Sequence, residues 1–259
     1  MQTTAIVNYH VRSDGPQAFQ IDAGGEHGRL ISPALAPTQV RLSDLRGGDV
    51  SASFSEDSLA ILSYPSQVRD FGADESWREV YDRELRVLLE RQVGAREVIV
   101  FDHTLRIDDP DSARKPARNV HSDYSPAGAH QRLRDLIGKE QAMEWEAGHF
   151  GFINIWRPVG NAINTAPLGF VRPASVKPRD WVEIGLIYPD RIGQIMGLVA
   201  NDSHDWIYQS KMTPDEVACF NIYDNRGLSS IAHSALDRVE NPALQVTRMS
   251  LESRTLVRY

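Results

Sequence analysis

Residues 206–235 read WIYQSKMTPDEVACFNIYDNRGLSSIAHSA, and this stretch decides the fold. It holds three short apolar segments, and the turns between them are polar and carry Pro, Asp, Asn or Gly. Short strands with turn residues at this spacing are typical of an all-β sandwich or barrel. The same pattern of short apolar segments and polar turns extends over residues 119–259, where we predict nine short strands.

The chain before residue 119 differs. Residues 75–95, ESWREVYDRELRVLLERQVGA, carry apolar side chains at three- and four-residue spacings and predict a helix closed by Gly94. The β-branched residues 96–106 that follow predict a strand. A second helix is predicted at residues 127–146, where it interrupts the run of strands.

We therefore predict one domain over residues 1–259. Its fold class is mostly β with flanking α-helices. Residues 1–118 would form an α/β wrap around a β-barrel core at residues 119–259.

Composition excludes several classes of protein. The chain has 28 Lys+Arg and 35 Asp+Glu, a net charge of −7, whereas nucleic-acid binding requires clustered basic residues. No apolar run reaches the length of a membrane span, and the first residues lack the apolar core of a signal peptide. The single cysteine, Cys219, lies in an apolar segment and has no partner for an internal disulfide. We expect Cys219 to be buried and the protein to be cytoplasmic.

His121 and Asp123 form the first candidate for chemistry. Residues i and i+2 of a strand point to the same face, so this imidazole and carboxylate can reach one metal ion together. With one distant histidine they would form the 2-His-1-carboxylate triad of non-haem Fe(II) oxygenases. The tripeptide alone arises often by chance. The other histidines without a companion at ligand spacing are expected to be structural or on the surface: His10, His27, His130 and His149.

Arg248, Ser250 and Arg254 form the second candidate. They follow His233 and share one face of the predicted last strand. An arginine fork beside a hydroxyl suits a buried dicarboxylate, because it offers paired charge-assisted hydrogen bonds and one further donor. The structural alternative is a solvated strand face.

Several segments of the chain resemble an oxygenase family. This family groups cephalosporin methoxylase-related proteins with gibberellin-desaturase-like hydroxylases and desaturases of fungal and bacterial secondary metabolism. The resemblance implies a double-stranded β-helix (jelly-roll, cupin-like) core, Fe(II), and 2-oxoglutarate and O2 as co-substrates. It also implies hydroxylation, desaturation or oxidative cyclisation of a small molecule. The segments that carry it are VHSDYSPAGAHQRL, INIWRPVGNAINTAPLGF, HDWIYQSKMTPDEVACFNIYDN and IAHSALDRVENP with TRMSLESRTLVRY.

By this resemblance, His121 and Asp123 match the first two metal ligands. The third is His204 or His233, and we favour His233, because the strand before it resembles the one that precedes the family's last ligand. Ala232 stands where the family tends to carry proline.

The resemblance also implies roles in binding 2-oxoglutarate. Arg248, supported by Ser250, would hold the far carboxylate, with Arg254 as the alternative anchor. Asn154 lies in the distinctive NIWRP motif and would contact the co-substrate or the substrate.

Four residues are assigned to substrate binding: Tyr124, Trp156, His103 and Arg132. Tyr124 points away from Asp123 in a regular strand and would reach the substrate only if the strand ends there. The other three have structural alternatives. Trp156 would fill the barrel core with Arg157 pairing outward to a carboxylate, His103 would pack against a helix, and Arg132 would lie on a solvated helix face.

Two rival functions use the same fold. One is a cupin-type metalloenzyme that does not use 2-oxoglutarate, and the other is a metal-free ligand-binding barrel. The expected partner in each case is a small molecule, without nucleic acid or membrane. A homodimer is a further prediction.

Overall fold

The computed structural model describes residues 3–21, 30–31, 33–72, 74–190, 192–240, 243 and 246–259. His27 lies outside these residues. The strands are β1 (Thr3–His10), β2 (Gln17–Ile21), β3 (Leu30–Ile31), β4 (Leu35–Asp44), β5 (Leu59–Ser63), β6 (Glu97–Ile107), β7 (His121–Ser122), β8 (Phe150–Pro158), β9 (Leu168–Val171), β10 (Trp181–Ile187), β11 (Ile192–Leu198), β12 (Trp206–Tyr208), β13 (Glu216–Asp224), β14 (Ala232–Ala235) and β15 (Met249–Arg258). The helices are α1 (Phe54–Asp57), α2 (Arg78–Val93), α3 (Pro126–Ile137) and α4 (Lys139–Ala147).

The strands form two sheets. The major sheet has the order β1-β4-β12-β9-β14-β7-β11-β10-β2-β3, and the minor sheet has the order β5-β13-β8-β15-β6. The predicted fold class is confirmed: the protein is mostly β, with helices at its flanks and a jelly-roll core. Each of the nine strands predicted after residue 119 is present, as β7 to β15.

Strands from the first 118 residues enter both sheets. In the major sheet, β4 pairs with β12 and β2 pairs with β10, both in parallel. In the minor sheet, β5 pairs with β13 and β6 runs along the whole of β15. The segment expected as a wrap therefore supplies edge and near-edge strands to the same sheets that hold the core.

Helix α2 covers the outer face of the minor sheet, as its periodicity predicts. Tyr81, Leu85 and Leu89 are fully buried in a cluster with the outward-facing side chains Ile153 and Ile155 of β8. The helix ends at Gly94, whose φ of 71° and ψ of 29° place it in the left-handed conformation that favours glycine. The opposite, inner face of the minor sheet is thereby directed at the major sheet.

The second predicted helix was wrong as a single element, because it is two helices. Gly138 separates α3 from α4 with φ of 80° and ψ of 162°, a backbone conformation that is accessible essentially only to glycine. Apolar periodicity continues across the break, so the sequence pattern alone predicted one helix.

The space between the two sheets holds the main core. Phe152, Trp156, Phe170 and Phe220 pack there with other apolar side chains, and these four are each at most 1% exposed. Cys219 points to the outer face, where it is buried as expected, and burial raises the pKa of its thiol. Within the described ranges, none of the helices has the length and apolar character needed to cross a membrane.

Candidate metal centre

Two histidines face each other across neighbouring strands of the major sheet. His121 of β7 and His233 of β14 are directly paired in register, and their ring centroids lie 4.6 Å apart. His121 Nδ1 lies 2.8 Å from the Asn119 carbonyl oxygen, and His233 Nδ1 lies 3.5 Å from that of Ile231. If each Nδ1–H donates to its carbonyl, the Nε2 atoms are left as ligands.

Asp123 completes the cluster from the loop that follows β7. Its Oδ1 lies 3.4 Å from His121 Nε2, and the ligand atoms of His121, Asp123 and His233 all lie within 4.8 Å of one another. The side chains of His121 and Asp123 are only 10% and 11% exposed, and His233 is 3% exposed. Two imidazoles and one carboxylate, brought together and enclosed, are the donor set typical of non-haem Fe(II).

The surroundings favour the protonation states that bind metal. Burial lowers the pKa of His233 to about 4, and the nearby charge of His121 acts in the same direction. Burial by itself raises the pKa of Asp123, but Arg254 and the hydrogen bond from His121 hold it well below its usual range. A neutral imidazole and an ionised carboxylate are the forms that coordinate a cation.

Asn154 and Arg254 contact this carboxylate. Asn154 Nδ2 donates to Asp123 Oδ2 at 2.8 Å, and Arg254 Nε donates to the same oxygen at 3.3 Å. Arg254 also pairs with Asp102 at 2.6 Å and with Glu252. These carboxylates raise the pKa of Arg254 well above its usual range, against the effect of burial. The structure thus places both residues on Asp123, and their role in binding 2-oxoglutarate stays a prediction.

Arg248 differs from Arg254 in its partners. It is 3% exposed, and its Nη2 donates to Ser250 Oγ at 3.2 Å. Its Nε and Nη1 are buried and have no hydrogen-bond partner among the described residues. Burial lowers the pKa of Arg248 to about 9, and the carboxylate of Asp108 offsets only part of this effect. A buried guanidinium with two free donors is a site prepared for an anion.

Trp156 has the position that its structural alternative expects, and its role in substrate binding stays a prediction. It is buried in the core between the sheets, and the Arg248 guanidinium lies 5.4 Å from its ring centroid. Its neighbour Arg157 points to the outer face, where none of the described carboxylates pairs with it. Instead it donates to the Tyr81 hydroxyl at 2.9 Å and to backbone carbonyls of Tyr64 and Pro214.

Tyr124 and Arg132 lie together on the side of Asp123. The ring centroids of Tyr124 and Phe152 lie 4.8 Å apart. Arg132 of α3 forms a hydrogen bond with Tyr124, and its guanidinium carbon lies 5.0 Å from the centroid of the Phe101 ring. Burial and the charge of Asp123 raise the pKa of Tyr124 to about 12, so its hydroxyl stays protonated. These side chains form a partly exposed aromatic group with one cation beside the candidate metal site.

His103 lies on the outer face of the minor sheet, against helix α2, and its role in substrate binding stays a prediction. In β6 it alternates with Asp102 and Thr104, which face Arg254 on the inner side. Its Nδ1 contacts Ser253 Oγ and its Nε2 contacts Asp82 of α2, both at 2.8 Å. His103 thus packs against a helix, α2, as its structural alternative expects.

The remaining histidines lie apart from the cluster. His204 contacts the Tyr9 hydroxyl at 2.8 Å and Asp180 at 3.4 Å, and it is not part of the metal-ligand group. His130 links Glu146 of α4 to the Tyr223 hydroxyl, His10 is buried, and His149 is exposed.

Sequence reasoning missed Asp102 and Glu252, which hold Arg254 on the inner face. Glu252 stands between Ser250 and Arg254 at the i+2 spacing, so strand alternation contained the signal. Asp102 had no such signal, because it comes from a different strand that pairs with β15 only in the folded sheet.

Comparison with known proteins identifies the family. A model of the oxidoreductase/YMDC permease-like domain matches residues 7–258. The chain belongs to this family. One relative, hydroxylase/desaturase efuI of Hormonema carpetanum, is 30% identical over 250 residues, which cover 84% of this chain and 82% of efuI. Another, alpha-ketoglutarate-dependent dioxygenase phiK of Fungal sp. strain ATCC 74256, is 27% identical over 98% of this chain and 95% of its own.

Solved structures share the fold of this family member. The iron and alpha-ketoglutarate-dependent endoperoxidase NvfI superposes with a TM-score of 0.86 at 21% identity, covering 99% of this chain and 98% of NvfI. The resemblance to oxygenases drawn from the sequence is thereby confirmed.

Proposed function

We propose that this protein is an Fe(II)- and 2-oxoglutarate-dependent dioxygenase that oxidises an unactivated C–H bond of a small molecule. The observation that carries the proposal is the enclosed cluster of His121, Asp123 and His233. Two of the relatives, an alpha-ketoglutarate-dependent dioxygenase and a hydroxylase/desaturase, support the same chemistry.

The described residues fit both Fe(II) and 2-oxoglutarate. His121, Asp123 and His233 would hold the iron, because their nitrogen and oxygen donors match its preferred ligands. Arg248 would hold a carboxylate of 2-oxoglutarate, since a buried guanidinium with two free donors lacks only an anion. When bound, Fe(II) and 2-oxoglutarate supply the activation of O2 that protein side chains lack.

The chain's own task is to bind, orient and exclude water. Ser250 orients the Arg248 fork, and Trp156 packs against that guanidinium. Phe220 packs on the His233 ring at 4.9 Å and keeps this ligand in an apolar setting. Tyr124 and Arg132 are proposed to contact the substrate, since they stand partly exposed beside Asp123.

We further propose that the substrate is a small molecule and that the enzyme acts in secondary metabolism, as the family resemblance of the sequence implies. Hydroxylation, desaturation and oxidative cyclisation all begin with the oxidation of one C–H bond that the protein orients in the substrate. A cytoplasmic location and a homodimer remain predictions. The first is consistent with a lone, buried thiol, and light scattering of the purified protein tests the second.

Anaerobic titration with Fe(II) and 2-oxoglutarate tests the function. We expect a weak visible charge-transfer band in the wild type and its loss in Arg248→Ala at the same 2-oxoglutarate concentration. A screen of candidate metabolites should then give substrate-dependent succinate release. Iron binding without the band would favour the cupin-type alternative, and absence of iron binding would favour a ligand-binding barrel.

A further inference from the structure

The carboxylate of Asp123 is held from the opposite sheet. Asn154 of β8 and Arg254 of β15 are direct partners in the register of the minor sheet, and both side chains point inward. His121 and His233 belong to the major sheet, and Asp123 follows its strand β7. The hydrogen bonds from Asn154 and Arg254 therefore cross from one sheet to the other at the candidate metal centre.

The two donors converge on one oxygen. Both bond to Oδ2 of Asp123, whereas Oδ1 is the oxygen that lies 3.4 Å from His121 Nε2. The χ2 torsion of an aspartate is broad, so an unsupported carboxylate samples many orientations. Two donors on Oδ2 select one of them and leave Oδ1 directed at the histidines.

We propose that Asn154 and Arg254 are positioning residues that present Asp123 to the metal through Oδ1 alone. The proposal rests on the proposed function, because it presupposes that the cluster binds a divalent cation. Polar groups behind a metal ligand orient it, and their loss weakens metal binding. Here they also join the two sheets, so the position of the minor sheet sets the orientation of a ligand carried by the major sheet.

Arg254 is itself fixed by its surroundings. Asp102 accepts from its Nη1 at 2.6 Å, Thr104 Oγ1 lies 3.2 Å from the same nitrogen, and Glu252 contacts Nη2. Asn154 is 1% exposed and needs no such support, because its amide is neutral and closely packed. The pair thus combines one rigid neutral donor with one charged donor that the minor sheet holds in place.

Co(II) binding in the absence of 2-oxoglutarate tests the proposal. We expect Asn154→Ala and Arg254→Lys each to raise the Co(II) dissociation constant about tenfold or more. We also expect an altered Co(II) d–d spectrum, because a released carboxylate changes the coordination geometry. Thermal unfolding of the metal-free variants verifies that each is folded, and Arg254→Lys serves if Asn154→Ala fails to fold.

Two control variants separate positioning from general stability. Asn164→Ala removes a buried amide that donates to the Ala162 carbonyl at 3.1 Å and not to a residue of the cluster. Arg258→Lys alters an arginine of the same strand as Arg254 that pairs with Glu97 and Glu144. Both should bind Co(II) as the wild type does.

The outcomes are distinct. Wild-type affinity and spectrum in Asn154→Ala and Arg254→Lys would overturn the inference alone, as would equal losses in the controls. If the wild type itself binds no Co(II), the proposed function fails and the inference falls with it.

Discussion

At the scale of single residues, Arg248 is a candidate binding group that lowers the stability of the unliganded protein. A charged group enclosed by protein without full hydrogen bonding destabilises the folded state. Within the described ranges, Nε and Nη1 of Arg248 lack a hydrogen-bond partner, and Nη2 bonds to Ser250. The free energy lost in the unliganded protein becomes available when a carboxylate binds.

Replacing this arginine should therefore separate stability from binding. Arg248→Met should raise the free energy of unfolding of the 2-oxoglutarate-free protein by about 1–3 kcal/mol, because it removes unsatisfied buried donors. It should also abolish 2-oxoglutarate binding and leave Co(II) affinity unchanged. Urea unfolding measures the free energy of unfolding, and titrations measure the affinities for 2-oxoglutarate and Co(II). A variant less stable than the wild type would show that the Arg248 donors already have hydrogen-bond partners in the free protein.

The pH dependence of this effect has a defined sign. The folded-state pKa of Arg248 is lowered to about 9, so above that pH the unfolded chain binds more protons and stability rises with pH. The penalty is thus complete below pH ~9 and is relieved as the pH rises through the folded pKa. The stability gain of Arg248→Met should accordingly be constant near neutral pH and shrink in alkaline solution.

The choice of third ligand is also decided by single residues. His233→Ala should lose Co(II) binding, because its ring faces His121 in the cluster. His204→Ala should keep Co(II) affinity but lose about 1–3 kcal/mol of stability, since Asp180 and Tyr9 lose a buried partner. Isothermal titration and urea unfolding of the two variants make the comparison. Loss of metal only in the His204 variant would reassign the ligand.

At the scale of elements, Gly138 decides how the helices lie over the sheets. Its φ of 80° and ψ of 162° divide α3, which carries Arg132, from α4. A side chain is strained in this conformation whatever the space around it.

Gly138→Ala should lower the free energy of unfolding by about 1–3 kcal/mol. Gly148→Ala is the matched control, because Gly148 ends α4 with a negative φ of −108° and a Cβ there meets only ordinary contacts. Urea unfolding compares the two. Equal stability of both variants would mean that the chain crosses the break as one continuous helix.

At the scale of the whole molecule, the two halves of the chain share their sheets. β13 pairs with β5, β15 with β6, β12 with β4 and β10 with β2, so four strands of the C-terminal half take partners from the first 118 residues. Helix α2 adds the apolar cover of the minor sheet.

A fragment of residues 119–259 should therefore not fold. It would expose the outer face of the minor sheet and leave unpaired strand edges, which favour aggregation. Far-ultraviolet circular dichroism and amide chemical-shift dispersion measure the outcome against the full chain. A folded fragment that binds Co(II) would make the N-terminal strands dispensable for the core.

Much of this architecture is local and was predictable. The strands from β7 to β15 and helix α2 follow from apolar alternation and periodicity, because each depends on neighbouring residues. His121 and Asp123 were predictable as a pair for the same reason, being two residues apart on one face. The break at Gly138 was not, since the apolar pattern runs through it.

Local sequence patterns were enough to predict the β-rich fold class, the His121–Asp123 pair and one shared strand face for Arg248, Ser250 and Arg254. Contacts between distant segments bring His233 rather than His204 to the pair, leave two donors of Arg248 unpaired among the described residues, and set Arg254 and Asn154 against Asp123. The physical reason is that alternation along a strand sets the face of a side chain. Its partner is set by the sheet packed opposite, and those contacts join residues far apart in the chain.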